Sequence, residues 1–178
     1  MPTTLFVDES LKRGFRFVGV AVDTSQVGRA RATMRAMLPR GARRIHFVKE
    51  NDVRRRRVLA EIAQLDLTIL IVDVTRGGRS VDRRHAALGR LVVWALDSGI
   101  DRLVFERDEN SVLSDLRTIA RVLDRLGRHG AFEYGHMPAS MEPILWIADA
   151  LAWSWSRGSS WRRSLEERGI CVEVHSVP

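Results

Sequence analysis

The chain has 178 residues, 45% of them hydrophobic, and a net charge of +7 that is almost wholly arginine, since Lys12 and Lys49 are its only lysines. That length and composition predict one globular domain over residues 1–178 with a sizeable core. They exclude a helical membrane span, which needs about 20 consecutive apolar residues. A single cysteine, Cys171, likewise excludes an internal disulfide and a cysteine-based zinc site. No basic-then-apolar leader opens the sequence, so a cytoplasmic protein is expected. The arginine surplus favours a polyanionic partner, because guanidinium groups grip phosphates bidentately.

Strand-like and helix-like patterns alternate along the chain, with no internal repeat or long linker. Leu5–Val7 reads as a first strand and Phe15–Val22 as a second, joined through Lys12-Arg13-Gly14 into an antiparallel hairpin. A basic helix over Gln26–Leu38 stops at Pro39 and Gly41. Arg44-Ile45-His46-Phe47-Val48 reads as a third strand, and a helix from Asp52 to Gln64 follows. The continuous apolar run Leu67–Val74 predicts a strand buried on both faces. Leu88, Leu91, Val92 and Ala95 then mark one face of a helix over 81–96.

Leu103-Val104-Phe105 is a further strand, running into Glu106-Arg107-Asp108-Glu109. An amphipathic helix follows through Leu113, Leu116, Ile119, Leu123 and Leu126, stopped by Gly127, and a short strand lies around Phe132–Tyr134. Pro143 suits the first turn of a helix carrying Asp149, and Cys171–Val174 reads as an edge strand. The whole predicts an α/β fold: an antiparallel hairpin first, then helix-separated parallel strands.

Acidic residues carry the functional signal. Asp8 and Glu9 end the first strand with no basic neighbour, Glu106 and Asp108 follow a later one, and Asp73 lies inside the strand before it. Ligands gather at the carboxyl ends of parallel strands in such sheets. Asp149 stands mid-helix among apolar residues, where a lone carboxylate must pair with an arginine, shift its pKa or bind a cation. Glu142 shares its helix face with Asp149 but lies about 10 Å away along the axis, too far to share one ion. Oxygen ligands without cysteine or clustered histidine favour Mg2+ or Mn2+. Two such ions would activate a water and stabilise the leaving oxygen of a phosphodiester.

Four short motifs in order, Val7-Asp8-Glu9-Ser10, Ile45-His46-Phe47, Val104-Phe105-Glu106 and Ile147-Ala148-Asp149, resemble a widespread bacterial family. Its members open with a Phe-Ile/Val-Asp-Glu-Ser strand, carry a late Leu-Ala-Asp helix, and are regarded as RNase H-like. The resemblance spans nearly the whole chain. It implies a mixed sheet flanked by helices and a metal-dependent nuclease, with Asp8 and Asp149 as metal-holding acids. The middle acid is Glu106 by family position, with Asp108 and Asp73 as alternatives and Glu9 as a possible further ligand. The chain departs from the pattern at Arg43-Arg44, where the family often has an acid, and at Ser140-Met141-Glu142, where many members have Ser or Lys. A catalytically degenerate module that binds nucleic acid or regulates a partner is therefore the competing expectation.

His46 is a candidate proton shuttle or phosphate contact, or a structural histidine. The run Arg54–Arg57 wraps around a helix start and reads mainly as a solvated surface, with a grip on a phosphate backbone as the sharper alternative. Trp146 and Trp153 flank Asp149 on its helix face; at that spacing they read as core or homodimer contacts rather than base-stacking platforms. Ser10 and Cys171 lack a readable His–acid partnership, and Arg76-Gly77-Gly78-Arg79 lacks the Lys-Ser/Thr of a nucleotide loop.

Overall fold

A computed structural model describes residues 1–11, 14–74 and 78–177. Lys12 and Arg13 of the expected hairpin connection, and Arg76 and Gly77 of the glycine turn, lie outside the described residues.

The chain runs β1 (Thr3–Ser10), β2 (Phe15–Asp23), α1 (Thr24–Ala36), a short 3-10 turn (Phe47–Lys49), α2 (Asp52–Ile62), β3 (Thr68–Val74) and α3 (Ser80–Asp97). It continues through β4 (Arg102–Glu106), α4 (Val112–Arg125), β5 (Glu133–Met137), α5 (Ile144–Arg157), α6 (Ser159–Glu166) and β6 (Val172–Val177). The six strands form one sheet in the order β5-β4-β1-β2-β3-β6. β1, β2 and β3 make an antiparallel meander. β4 and β5 add in parallel beside β1, and β6 lies parallel to β3 at the far edge.

Side-chain alternation sorts this sheet into two cores. Phe6, Val18, Val20, Ile69, Ile71 and Val104 face the layer that contains α1, α2 and α5. Leu5, Val7, Phe15, Phe17, Leu70, Val72 and Phe105 face α3 and α4. β3 packs on both faces, as its unbroken apolar run requires. α5 is apolar nearly all round because it is the central helix of its layer, lying on β1 and β2. No helix among the described residues is long and apolar enough to cross a membrane.

One expected strand is absent. Residues 44–48 do not join the sheet; 44–46 are irregular and 47–48 open the 3-10 turn. Its alternation is real, because Ile45 and Phe47 are buried while His46 is half-buried and Val48 exposed. The backbone, however, is satisfied by the 3-10 turn and by side chains instead of a ladder. The Phe47 amide donates to Asp149 at 2.9 Å, and Arg55 donates to the carbonyls of Phe47 and Val48 at 3.0 and 2.8 Å. Two apolar plugs thus mimic a strand's period of two.

Candidate active site

The parallel register of β1 and β4 brings the first two acids together. Phe6 lies opposite Val104 and Val7 opposite Phe105, so Asp8 and Glu106 come next, side by side on the α5 face. α5 crosses that sheet end and carries Asp149 to them. The three carboxylates line a pocket of about 260 Å³ with Glu9, Arg44, His46, Arg107 and Asp108.

Asp8 is only 9% exposed, and one carboxylate oxygen accepts the Glu9 amide at 2.7 Å. Its pKa stands well above the carboxylate norm of 3.8. Burial is the main cause, followed by the charges of Glu106 and Asp149 and a hydrogen bond with Glu106; Arg44 opposes them weakly. Asp149 is also raised, chiefly by burial, although the Phe47 amide and His46 pull it back. His46 Nδ1 lies 3.4 Å from Asp149 Oδ2. Arg44 binds Glu106 Oε1 at 2.6 Å and reaches His46 Nδ1 at 3.4 Å.

Asp8, raised by burial and by its two carboxylate neighbours, and Asp149, raised by burial and Glu106, share with Glu106 a set of hard oxygen donors, the type that suits a divalent cation. Yet among the described residues no group of three or more His, Cys, Asp or Glu side chains stands ready to hold a metal ion. Arg44 pairs with Glu106, while the Phe47 amide and His46 contact Asp149.

The remaining acids have other partners. Glu9 points to the opposite sheet face from Asp8, as strand alternation dictates, and pairs with Arg84. Asp108 is exposed and closes a turn by accepting the amide and side-chain nitrogen of Asn110 at 3.1 and 3.2 Å. Asp73 sits opposite Arg16 across β2 and β3, receives its guanidinium at 3.0 and 3.1 Å in a part-buried pair, and does not line the acid pocket. Glu142 is buried against Arg31 and caps the Ile144 amide. Ser10 shares a 2.8 Å hydrogen bond with Ser156. Trp146 is a core residue, and Trp153 packs between Phe47 and Trp161.

A second cluster escaped the sequence reading. Arg84 on α3 clamps the fully buried Asp115 of α4 with two 2.7 Å hydrogen bonds, holds Glu9, and reaches Ser111 at 3.1 Å. His136 on β5 meets the same Asp115 at 3.0 Å and stacks on Phe105. Burial pushes the Asp115 carboxyl up, but Arg84 and His136 outweigh it and hold the group below its ordinary value. The available signal was Asp115 itself. It lies four and eight residues before Ile119 and Leu123, an acid on the buried stripe of a helix, just as Asp149 is.

No protein-family model matches the chain, and no curated protein matches it significantly. Among solved structures, a chain in the structure of the PCNA:RNase HII complex from Archaeoglobus fulgidus superimposes with a TM-score of 0.57 over 95% of this chain and 79% of that one. The fold is RNase H-like. At 14% identity the likeness carries the architecture and no residue roles. Within this RNase H-like sheet, the acid pocket lies at the carboxyl ends of the adjacent parallel strands β1 and β4, where α/β sheets commonly place their ligands.

Proposed function

We propose that residues 1–178 form one RNase H-like domain that cleaves phosphodiester bonds of nucleic acid in the cytoplasm with Mg2+ or Mn2+, akin to the bacterial family its motifs resemble. The observation that carries this reading is the meeting of Asp8, Glu106 and Asp149 in one pocket, with Asp8 forced upward by burial and by the other two. Asp8, Glu106 and Asp149 would hold the ion, which when bound supplies an activated water and charge stabilisation at the leaving oxygen. Asp8 is the pivot, since both other acids act on it. His46, facing Asp149 through Nδ1, is positioned to pass a proton at the pocket wall. Arg44, half-exposed beside Glu106, is free to turn toward a substrate phosphate once Glu106 takes another partner.

The Arg44–Glu106 pair favours the second reading, a catalytically degenerate module that keeps the fold and binds nucleic acid or a regulatory partner. One experiment separates them. Single- and double-stranded RNA and DNA are incubated with Mn2+ or Mg2+ and wild type, Asp8→Asn or Asp149→Asn. Cleavage by wild type alone supports the nuclease. Equal cleavage by all three identifies a contaminant and sinks the assignment, and binding that persists under chelation without any cleavage supports the degenerate module.

A further inference from the structure

From the acid pocket, a contiguous strip of aromatic and arginine side chains runs outward. The Phe47 amide binds Asp149, and the Phe47 ring meets Trp153 edge-on at 5.4 Å. Trp153 in turn meets Trp161 edge-on at 5.1 Å. Over these rings sit three guanidinium groups from two helices, α2 and α5: Arg55 at 4.2 Å and Arg157 at 5.7 Å from the centroid of Trp153, and Arg56 at 5.9 Å from that of Trp161. Arg162 lies 4.5 Å over Trp155.

Trp153 is hemmed in by Arg55, Arg157, Phe47 and Trp161, so its ring is a support for the cations rather than a platform for a base. Arg55 is partly neutralised by Asp52 at 2.7 Å and tied to two carbonyls. Arg56 and Arg157 are exposed, and among the described residues neither lies within ion-pair distance of a carboxylate. Their charge is held in place by rings and faces solvent.

We infer that this α2–α5–α6 strip is a metal-independent track for a nucleic-acid backbone, gripping phosphates through Arg56 and Arg157 and leaving the bases unread. The inference rests on the reading that nucleic acid is the partner, and it makes the tryptophans scaffolding for arginines. Charge complementarity selects the occupant: the strip is cationic, the chain carries +7, and the buried Phe47 joins its inner end to Asp149 of the pocket wall.

The test is fluorescence anisotropy of the full chain with labelled single-stranded oligonucleotides of mixed sequence and of poly(dT), in EDTA at about 50 mM salt, where phosphate contacts are strongest. Arg56→Glu/Arg157→Glu is compared with Arg121→Glu/Arg125→Glu, which makes the same change in net charge on exposed positions of α4, on the other face of the sheet. The α2–α5 double variant should bind at least about tenfold more weakly and flatten the salt dependence by about 0.7 per lost phosphate contact. The α4 variant should stay within about twofold of wild type, and both sequences should bind alike. Equal losses in the two double variants overturn the track, and so does a strong preference between the two oligonucleotides or no binding by wild type. Circular dichroism confirms that both variants fold. Binding is read in EDTA, where metal-dependent cleavage cannot occur, so failure of this track and failure of the cleavage reading are separately visible.

Discussion

At one end of the sheet, two acidic clusters lie back to back and have opposite electrostatics. On the α5 face, Asp8, Glu106 and Asp149 crowd together, and burial and mutual repulsion raise Asp8 and Asp149. On the α3–α4 face, Glu9 and Asp115 meet Arg84 and His136, and Asp115 is held low despite complete burial. Adjacent residues of β1 feed the two clusters, because a strand sends Asp8 one way and Glu9 the other. Burial alone therefore does not set the character of a carboxylate here. The cations supplied by neighbouring helices do. One cluster is held by a buried arginine; the other has only the part-exposed Arg44 and His46 against its three acids.

The sharpest way to break this contrast is activity. Asp8→Asn should reduce Mn2+-dependent cleavage by about 100-fold or more, while Glu9→Gln stays within a few-fold of wild type. A Glu9 variant as dead as the Asp8 variant would mean that the two faces share one function. The next largest effect is on stability. Arg84→Met strands the buried Asp115 and should cost about 3–5 kcal/mol in urea unfolding. Arg44→Met, at a pair about a third exposed, should cost no more than about 1 kcal/mol. Similar losses would show that the acid pocket is as structural as its neighbour.

The smallest effects are the most diagnostic. Asp8→Asn keeps an acceptor for the Glu9 amide and removes a charge that the fold opposes, so its thermal midpoint at pH 7 should exceed that of wild type. Added Mn2+ should raise the midpoint of wild type but not that of the variant. The acid titrations should also diverge in sign. A raised carboxyl destabilises the fold while ionised, so wild type regains stability as pH falls from the raised Asp8 value toward 3.8, where it converges with Asp8→Asn. A lowered carboxyl stabilises above 3.8 and loses that contribution as pH falls through its folded value. The advantage of wild type over Asp115→Asn should therefore persist to pH 3.8 and shrink only below it. Convergence of both pairs in the same window would contradict the contrast.

Much of this was legible in the chain. The apolar run of β3, Gly127 after α4 and Pro143 at the start of α5 are local signals, and each led to its element. What places Glu106 beside Asp8 and Asp73 away from it is not local. Glu106 stands beside Asp8 because of the β1–β4 register, and Asp73 is lost to Arg16 because of the β2–β3 register. Neither register is written in either strand alone. The stretch 44–48 misled because alternation reports burial, and a loop that plugs two side chains into a core shares that period with a strand. Arg84 and Asp115 stayed hidden because they sit on different helices and make sense only as a pair.

The same irregular stretch makes this protein open to re-engineering. Arg44, His46, the Phe47 amide and the Phe47 ring reach Glu106, Asp149 and Trp153 from a few consecutive residues that contribute no hydrogen bond to the sheet ladder. Residues 43–50 are thus a cassette: with Ile45 and Phe47 kept as anchors, the segment can be exchanged for others that present different side chains to the acids. The sheet beneath would keep its register, since none of the ladder pairs of β1 comes from this segment.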